Sequence, residues 1–201
     1  MAHLFSNLFR GLDFRIVCIC VFSILISLNS TAQESQQKRS FEFGIETQAY
    51  LGGVIPGISF EIGIAEQEAL NIRLGYNVVR HRSLGIHDNE TGGGFGFTLG
   101  YRHYFNPNQT QFFLGARSDL WFNSVDWQDD INTPLMTSGT TEIIVLQPTI
   151  EAGYKFLLKN KHWTIAPTLA FGFEINVKSD GEDVGQGAIF LVGVLFNYRV
   201  K

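Results

Sequence analysis

Past residue 20 the sequence has no cysteine, and past residue 28 it has no apolar run long enough for a membrane-crossing helix. Such a helix needs about 20 apolar residues. Cys18 and Cys20 both lie in the apolar stretch 16–28, after Arg10 and Arg15 and before Ser30-Thr31-Ala32. Positive charge, a short apolar core and small residues at the cleavage positions describe a secretory signal. Residues 1–32 are therefore expected to be removed on export, and the core is too short to favour an N-terminal anchor. Neither cysteine follows a small residue, as a lipoprotein cleavage site requires. Cleavage after Ala32 leaves a chain without thiols, which excludes disulfides and cysteine chemistry. It also removes Arg10, Arg15 and Asp13, so Lys+Arg falls from 15 to 13 and Asp+Glu from 19 to 18, a net charge of −5. A mildly acidic exported chain is a poor nucleic-acid binder. The histidines (His3, His81, His87, His103, His162) show no ligand spacing, so neither a metal nor any other cofactor is expected.

What the sequence does have is alternation. From Trp163 every second residue is apolar (Trp163, Ile165, Pro167, Leu169, Phe171, Phe173, Ile175, Val177), with small, polar or charged residues between them as far as Lys178. Period two places these sets on opposite faces of a β-strand. The stretch is longer than the 5 to 6 residues usual in soluble domains and long enough for a tilted bilayer crossing, about 9 to 11 residues. The same pattern predicts strands over 40–51, 57–65, 69–80, 93–105, 111–123, 142–158, 163–178 and 188–201. The expected fold is all-β: an eight-stranded antiparallel up-and-down transmembrane barrel over 40–201, after a flexible lead-in at 33–39. Gly52-Gly53 with Pro56 predicts the first turn; connections after the second, fourth and sixth strands read as short, and 81–92, 124–141 and 179–187 as long loops. Short periplasmic turns and longer outer loops suit such a barrel.

The inward parity collects Glu42, Glu46, Glu61, Arg73, Arg102, Arg117, Asp119, Glu151, Lys155 and Glu174, together with many glycines. An eight-stranded barrel is just wide enough for side chains to fill or for one small ligand. Acids and bases confined there are expected to pair, because unpaired buried charges are costly. A plugged interior is the leading expectation, a narrow polar path for a small solute the second. Phe41, Phe105, Phe112, Phe156, Trp163 and Tyr198 fall on the apolar parity near one set of strand ends, and Phe95 and Phe122 near the other. Aromatic girdles sit at both interfaces of membrane barrels.

An eight-stranded chain with an export signal, long outer loops and an aromatic-rich last strand resembles the small outer-membrane barrels of Gram-negative bacteria, such as the OmpA barrel, OmpX and OmpW-like porin-family proteins. The resemblance covers 40–201 and is one of architecture. It implies residence in the outer membrane, contact with its lipid and lipopolysaccharide, delivery by the barrel-assembly machinery through a C-terminal aromatic (here Tyr198, ahead of Arg199-Val200-Lys201), and a structural or small-solute role without catalysis.

Two other readings use the same residues. A secreted soluble barrel binding a small hydrophobic ligand would turn the apolar rows inward. An outer-membrane lipid-modifying enzyme would use His81 with Ser83, or His87 with Asp88, but no base–nucleophile–orienter set can be assembled. Acidic clusters at Asp126, Asp129 and Asp130, and at Asp180, Glu182 and Asp183, are candidates for divalent cations. Gly92-Gly93-Gly94 lacks the Lys-Ser/Thr of a phosphate loop. Pro148 and Pro167 run against the barrel, because a strand proline removes a ladder donor.

Overall fold

A computed structural model describes residues 40–83, 85–159 and 161–200. The expected signal (1–32), the lead-in (33–39) and Lys201 lie outside the described residues. The strands are β1 (Phe41–Tyr50), β2 (Gly53–Gly63), β3 (Glu68–Arg82), β4 (Asn89–Tyr104), β5 (Gln111–Asp129), β6 (Thr137–Leu157), β7 (Trp163–Asp180) and β8 (Gly187–Val200). Each pairs antiparallel with its sequence neighbour, and β1 closes on β8 from Phe41↔Val200 to Ala49↔Val192, giving a closed barrel. Among the described residues there is no helix. Both described ends lie on one rim, called here the lower rim.

The connections differ from expectation. The first turn is Leu51-Gly52, and Pro56 lies inside β2 instead of in a turn. The expected 124–141 loop is mostly ladder: β5 and β6 stay paired from Asn123↔Ile143 up to Asp129↔Thr137, which leaves 130–136 as the loop. Likewise 81–92 shrinks to 83–88 and 179–187 to 181–186. Asymmetry between the rims therefore lies in strand length, with β5 of 19 and β6 of 21 residues overshooting the 10 of β1. Above a membrane both faces of a wall can meet water. There Ser124, Asp126 and Gln128 turn polar side chains outward while Val125 stays buried, and Thr137–Glu142 has no apolar side chain, yet the backbone ladder continues.

The prolines fit by a shared device. A strand residue directs its N–H and C=O to the same neighbour, so a proline opens one ladder and leaves the other intact. Pro56 pairs with Thr47 of β1, while the β2–β3 ladder skips from Val54↔Val78 to Gly57↔Gly75. Pro148 pairs with Ser118 of β5, while β6–β7 skips from Leu146↔Ile175 to Thr149↔Gly172. Pro167 pairs with Val194 of β8, while β6–β7 skips from Gly153↔Thr168 to Phe156↔Ile165. The registers place Tyr76, Phe173 and Tyr154 opposite these prolines, and all three prolines face outward. The objection from Pro148 and Pro167 is thereby answered. A bulge between Ile144 and Val145 shifts the same ladder by the extra residue Val177.

Candidate functional site

Inward-facing side chains from seven strands meet in a chain of alternating charge. Arg73 of β3 donates to Asp119 (2.9 Å), Gln48 (2.7 Å) and Glu46 (3.4 Å). Arg117 of β5 reaches Glu46 at 2.7 Å, Asp119 at 3.2 Å and Glu151 at 3.6 Å. Glu151 of β6 accepts from Arg102 of β4 at 2.7 Å, and Arg102 donates on to Glu61 of β2 at 2.7 Å. Lys155 donates to Glu61 and, at 3.3 Å, to Glu42 of β1, which also accepts from Arg199 Nε of β8 at 2.7 Å. The Thr98 hydroxyl bonds Asp119, and the Tyr104 hydroxyl donates to Glu61 at 2.9 Å. Arg73, Arg117, Arg102, Lys155 and Arg199 thus balance Asp119, Glu46, Glu151, Glu61 and Glu42, five against five. Glu46, Arg73, Arg102 and Asp119 are 0% exposed. Burying charge is costly unless it is paired, and here each cation touches at least one carboxylate.

Aromatic and aliphatic groups fill the space above and below this network. Toward the upper rim Trp121, Ile55, Val145, Leu191, Val125, Ile143, Ile189 and Val184 form one buried cluster; near the lower rim Ala69, Tyr104, Phe113, Ala166 and Leu195 form another. Cations bridge the layers, with Arg73 over the Trp121 ring (5.3 Å), Arg102 over Phe113 (4.9 Å) and Lys155 over Tyr104 (4.7 Å). Such contacts add about 0.5 to 2 kcal/mol each when desolvated. Inward glycines make room for these rings. A Cβ on Gly96 would lie 2.3 Å from Trp121, and one on Gly153 would lie 2.4 Å from Phe113.

The arrangement corrects the inward-charge set in three ways. Glu174 stands apart from the network, at a notch near the upper rim, because parity gives the face of a residue but not its height. Arg199 completes the network at the lower rim; it lies on the inward parity of β8, and that signal was there to find. The interior is also layered instead of uniformly polar, since Phe113, Trp121, Ile189, Leu191 and Leu195 share the inward parity with the charges.

Outside, the polarity is reversed. Ile45, Ile58, Leu74, Phe97, Leu99, Ile150, Leu169, Phe171 and Val192 are 46–67% exposed. At the lower rim Phe41, Phe105, Phe112 and Phe156 are exposed, and Trp163 and Tyr198 half-buried. They stand in contact: Phe105–Phe112 at 5.4 Å across β4–β5, and Trp163–Tyr198 at 5.1 Å across β7–β8, with Tyr198 5.8 Å from Phe43. On the upper side Tyr76 meets Phe95 edge-on at 4.8 Å.

The upper loops are tied together by two histidines. His81 Nδ1 lies 2.9 Å from Glu90, whose carboxylate also accepts the N–H groups of Ile86, His87 and Gly185. His87 stacks on Trp127 at 4.4 Å, with Nδ1 2.7 Å from Asp129 and Nε2 2.9 Å from the Asp183 carbonyl. Both partners are acceptors, so the imidazolium satisfies both contacts. Burial pulls the His87 pKa down, but the hydrogen bond and charge of Asp129 outweigh it and raise it; Asp129 is lowered in return by its bond with His87. Both ring nitrogens of His87 are thereby occupied, while His81 is held at Nδ1. Of the acidic clusters, Asp126 accepts from Thr140 (2.6 Å) and Asp130 N–H donates to Asp88 (3.0 Å); among the described residues no group of three or more His, Cys, Asp or Glu is gathered to hold a metal ion.

A family model described as "Protein of unknown function (DUF3575)" matches residues 17–181. The chain belongs to this family. No curated protein matches it. Solved structures similar to this DUF3575 protein include the N-terminal β-barrel domain of Pseudomonas aeruginosa OprF, at 14% identity and TM-score 0.43, covering 79% of this chain and 96% of that one. Neisserial surface protein A (NspA) is similar at 12% identity and TM-score 0.42, covering 81% and 95% respectively. Ail, the attachment invasion locus protein of Yersinia pestis, solved with the heparin analogue sucrose octasulfate, is similar at 11% identity and TM-score 0.44, covering 81% and 97%. The protein's own geometry decides what kind of barrel it is. An apolar outer wall, buried charges inside and a ladder that closes on itself satisfy every demand of a bilayer on backbone and side chain. The DUF3575 protein is a closed β-barrel with the polarity of a membrane-spanning wall. A soluble barrel would need the reverse polarity.

Proposed function

We propose that this DUF3575 protein is a sealed barrel, a structural and surface-presenting element of the outer membrane and neither a solute channel nor an enzyme. One observation carries the reading. The mid-height cross-section is occupied by Glu46, Arg73, Thr98 and Asp119, all 0% exposed, with Arg117 at 4%. The lining of a conducting path must be reached by water, and these groups reach one another instead. The glycine positions support the same view, since the space beside Gly96, Gly57 and Gly193 holds Trp121, Arg73 and Gln48. The occupied ring nitrogens of His87 support a non-catalytic upper rim. In this reading membrane lipid and lipopolysaccharide surround the wall, the barrel-assembly machinery inserts it, and the lower girdle lies at the periplasmic interface.

Refolded full-length barrel in planar bilayers in concentrated potassium chloride tests it. The expected trace is flat. Reproducible unitary steps from protein that is folded by gel mobility would overturn the sealed reading.

A further inference from the structure

The wall has a notch. β1 and β2 stop at the Leu51-Gly52 turn, while β3 runs on to Arg82 and β8 begins at Gly187. The β1–β8 ladder ends at Ala49↔Val192, so among the described residues Gly187–Leu191 have no strand partner on the β1 side. A cavity of about 230 Å³ opens in this gap, lined by Tyr50, His81, Glu174, Gln186, Ala188 and Phe190 among others. The floor is tight: a Cβ on Gly52 would lie 1.9 Å from the His81 ring.

Glu174 is half-buried here, opposite Gly187, which has no side chain to cover it. Among the described residues its carboxylate makes neither a hydrogen bond nor an ion pair. That sets it apart from the ten balanced charges below and from Glu90 beside it, whose carboxylate is filled by His81 and three backbone N–H groups. The notch therefore holds Glu174 and Glu90 against the single histidine His81, an excess of negative charge. Tyr50 is fixed by its hydroxyl donating to Asn77 (2.8 Å) and stands edge-on to His81, while Phe190 is 53% exposed. A carboxylate beside the Tyr50 ring suits a cation, which gains from ion pairing and from the ring face.

We infer that the notch is a binding site for a small organic cation, a primary amine or guanidinium compound, with Glu174 as its counter-ion. The cavity is below the 300–1,000 Å³ usual for drug-sized ligands, which limits the ligand to a short aliphatic amine or the tip of a basic side chain. The inference does not depend on the interior being sealed, because the notch lies in the wall above the ion network.

Isothermal titration of the refolded full-length barrel in detergent with agmatine tests it. Saturable one-to-one binding is expected, weakened at least tenfold in Glu174→Gln and unchanged in Glu182→Gln, which alters an exposed carboxylate on the loop that follows β7. Gel mobility with and without boiling verifies that each variant is folded. Tyr50→Leu, which removes the ring beside Glu174 without altering charge, is also expected to weaken binding and serves if Glu174→Gln does not fold. No saturable heat with folded wild-type protein overturns the inference. So do equal affinities in wild type and Glu174→Gln, equal losses in Glu174→Gln and Glu182→Gln, or glutarate binding as well as agmatine. Conductance is read separately, so a channel with an intact amine site and a sealed barrel without one are distinguishable outcomes.

Discussion

Replacing Arg102 by methionine strikes the middle of the buried network while keeping much of the side chain's volume. Arg102 donates to Glu151 at 2.7 and 3.3 Å and to Glu61 at 2.7 Å, and its guanidinium lies over Phe113. Without it the interior carries one uncompensated negative charge where Glu61 is 1% and Glu151 3% exposed. Removing one partner of a buried ion pair costs about 3–5 kcal/mol. Two features pull the value toward the lower end: Glu61 keeps Lys155 and Tyr104, and Glu151 keeps Arg117 at 3.6 Å. The expected destabilisation of Arg102→Met is therefore about 3 kcal/mol. Reversible urea unfolding in lipid vesicles, followed by tryptophan fluorescence, reads it as a shift in midpoint at constant slope. A double-mutant cycle with Glu151→Gln should return a coupling between about 0.5 and 3 kcal/mol, because removing both charges restores balance. A loss below about 1 kcal/mol with no coupling would refute the reasoning, since it would mean that water, and not Arg102, neutralises these carboxylates.

Other expectations follow from the wall and the rim. Leu99→Arg, 54% exposed on the outer face between the aromatic ends, should cost about 2–4 kcal/mol in the same unfolding assay, whereas Phe95→Arg near the upper end should cost at most about 1 kcal/mol. Gly96→Ala places a methyl 2.3 Å from Trp121 and should destabilise by about 1–3 kcal/mol with a changed tryptophan emission. His87 should titrate above its ordinary value by NMR, and Asp129→Asn should bring it down. Since the folded-state pKa is raised, the tie it provides is complete below the unfolded value of about 6.5 and is lost as pH rises through the folded one. Cleavage of the loops by added protease should therefore increase on the alkaline side of that window, and the increase should vanish in Asp129→Asn.

Much of this molecule is legible as period two. From Trp163 to Ile175 the alternation alone assigns every face of β7, and the closed ladder follows the same parity around the barrel. What parity does not carry is height. Glu174 and Glu151 share a face, yet Glu151 lies level with Ala170 in the ladder and Glu174 four residues higher, in the notch. Length above the membrane was equally hidden, because Thr137–Thr141 pair with Val125–Asp129 through backbone bonds that need no apolar pattern. The prolines looked like breaks because a single strand does not reveal which neighbour its N–H faces. Arg199 carried the right parity at the last strand's end, where its role depends on Glu42 at the opposite end of the described chain.

The claim on which the rest depends is that the outer wall faces lipid and the inner face does not. The natural cysteines lie only at positions 18 and 20, so single cysteines can be placed along β4 and labelled with bimane. In vesicles containing brominated lipid, labels at Phe97, Leu99 and Tyr101 should be strongly quenched. Cysteines at the intervening Thr98 and Gly100 should label poorly or escape quenching. That two-residue period is the predicted result. Uniform labelling with no lipid quenching at any position would contradict the account and place the apolar face of β4 in the core of a soluble protein.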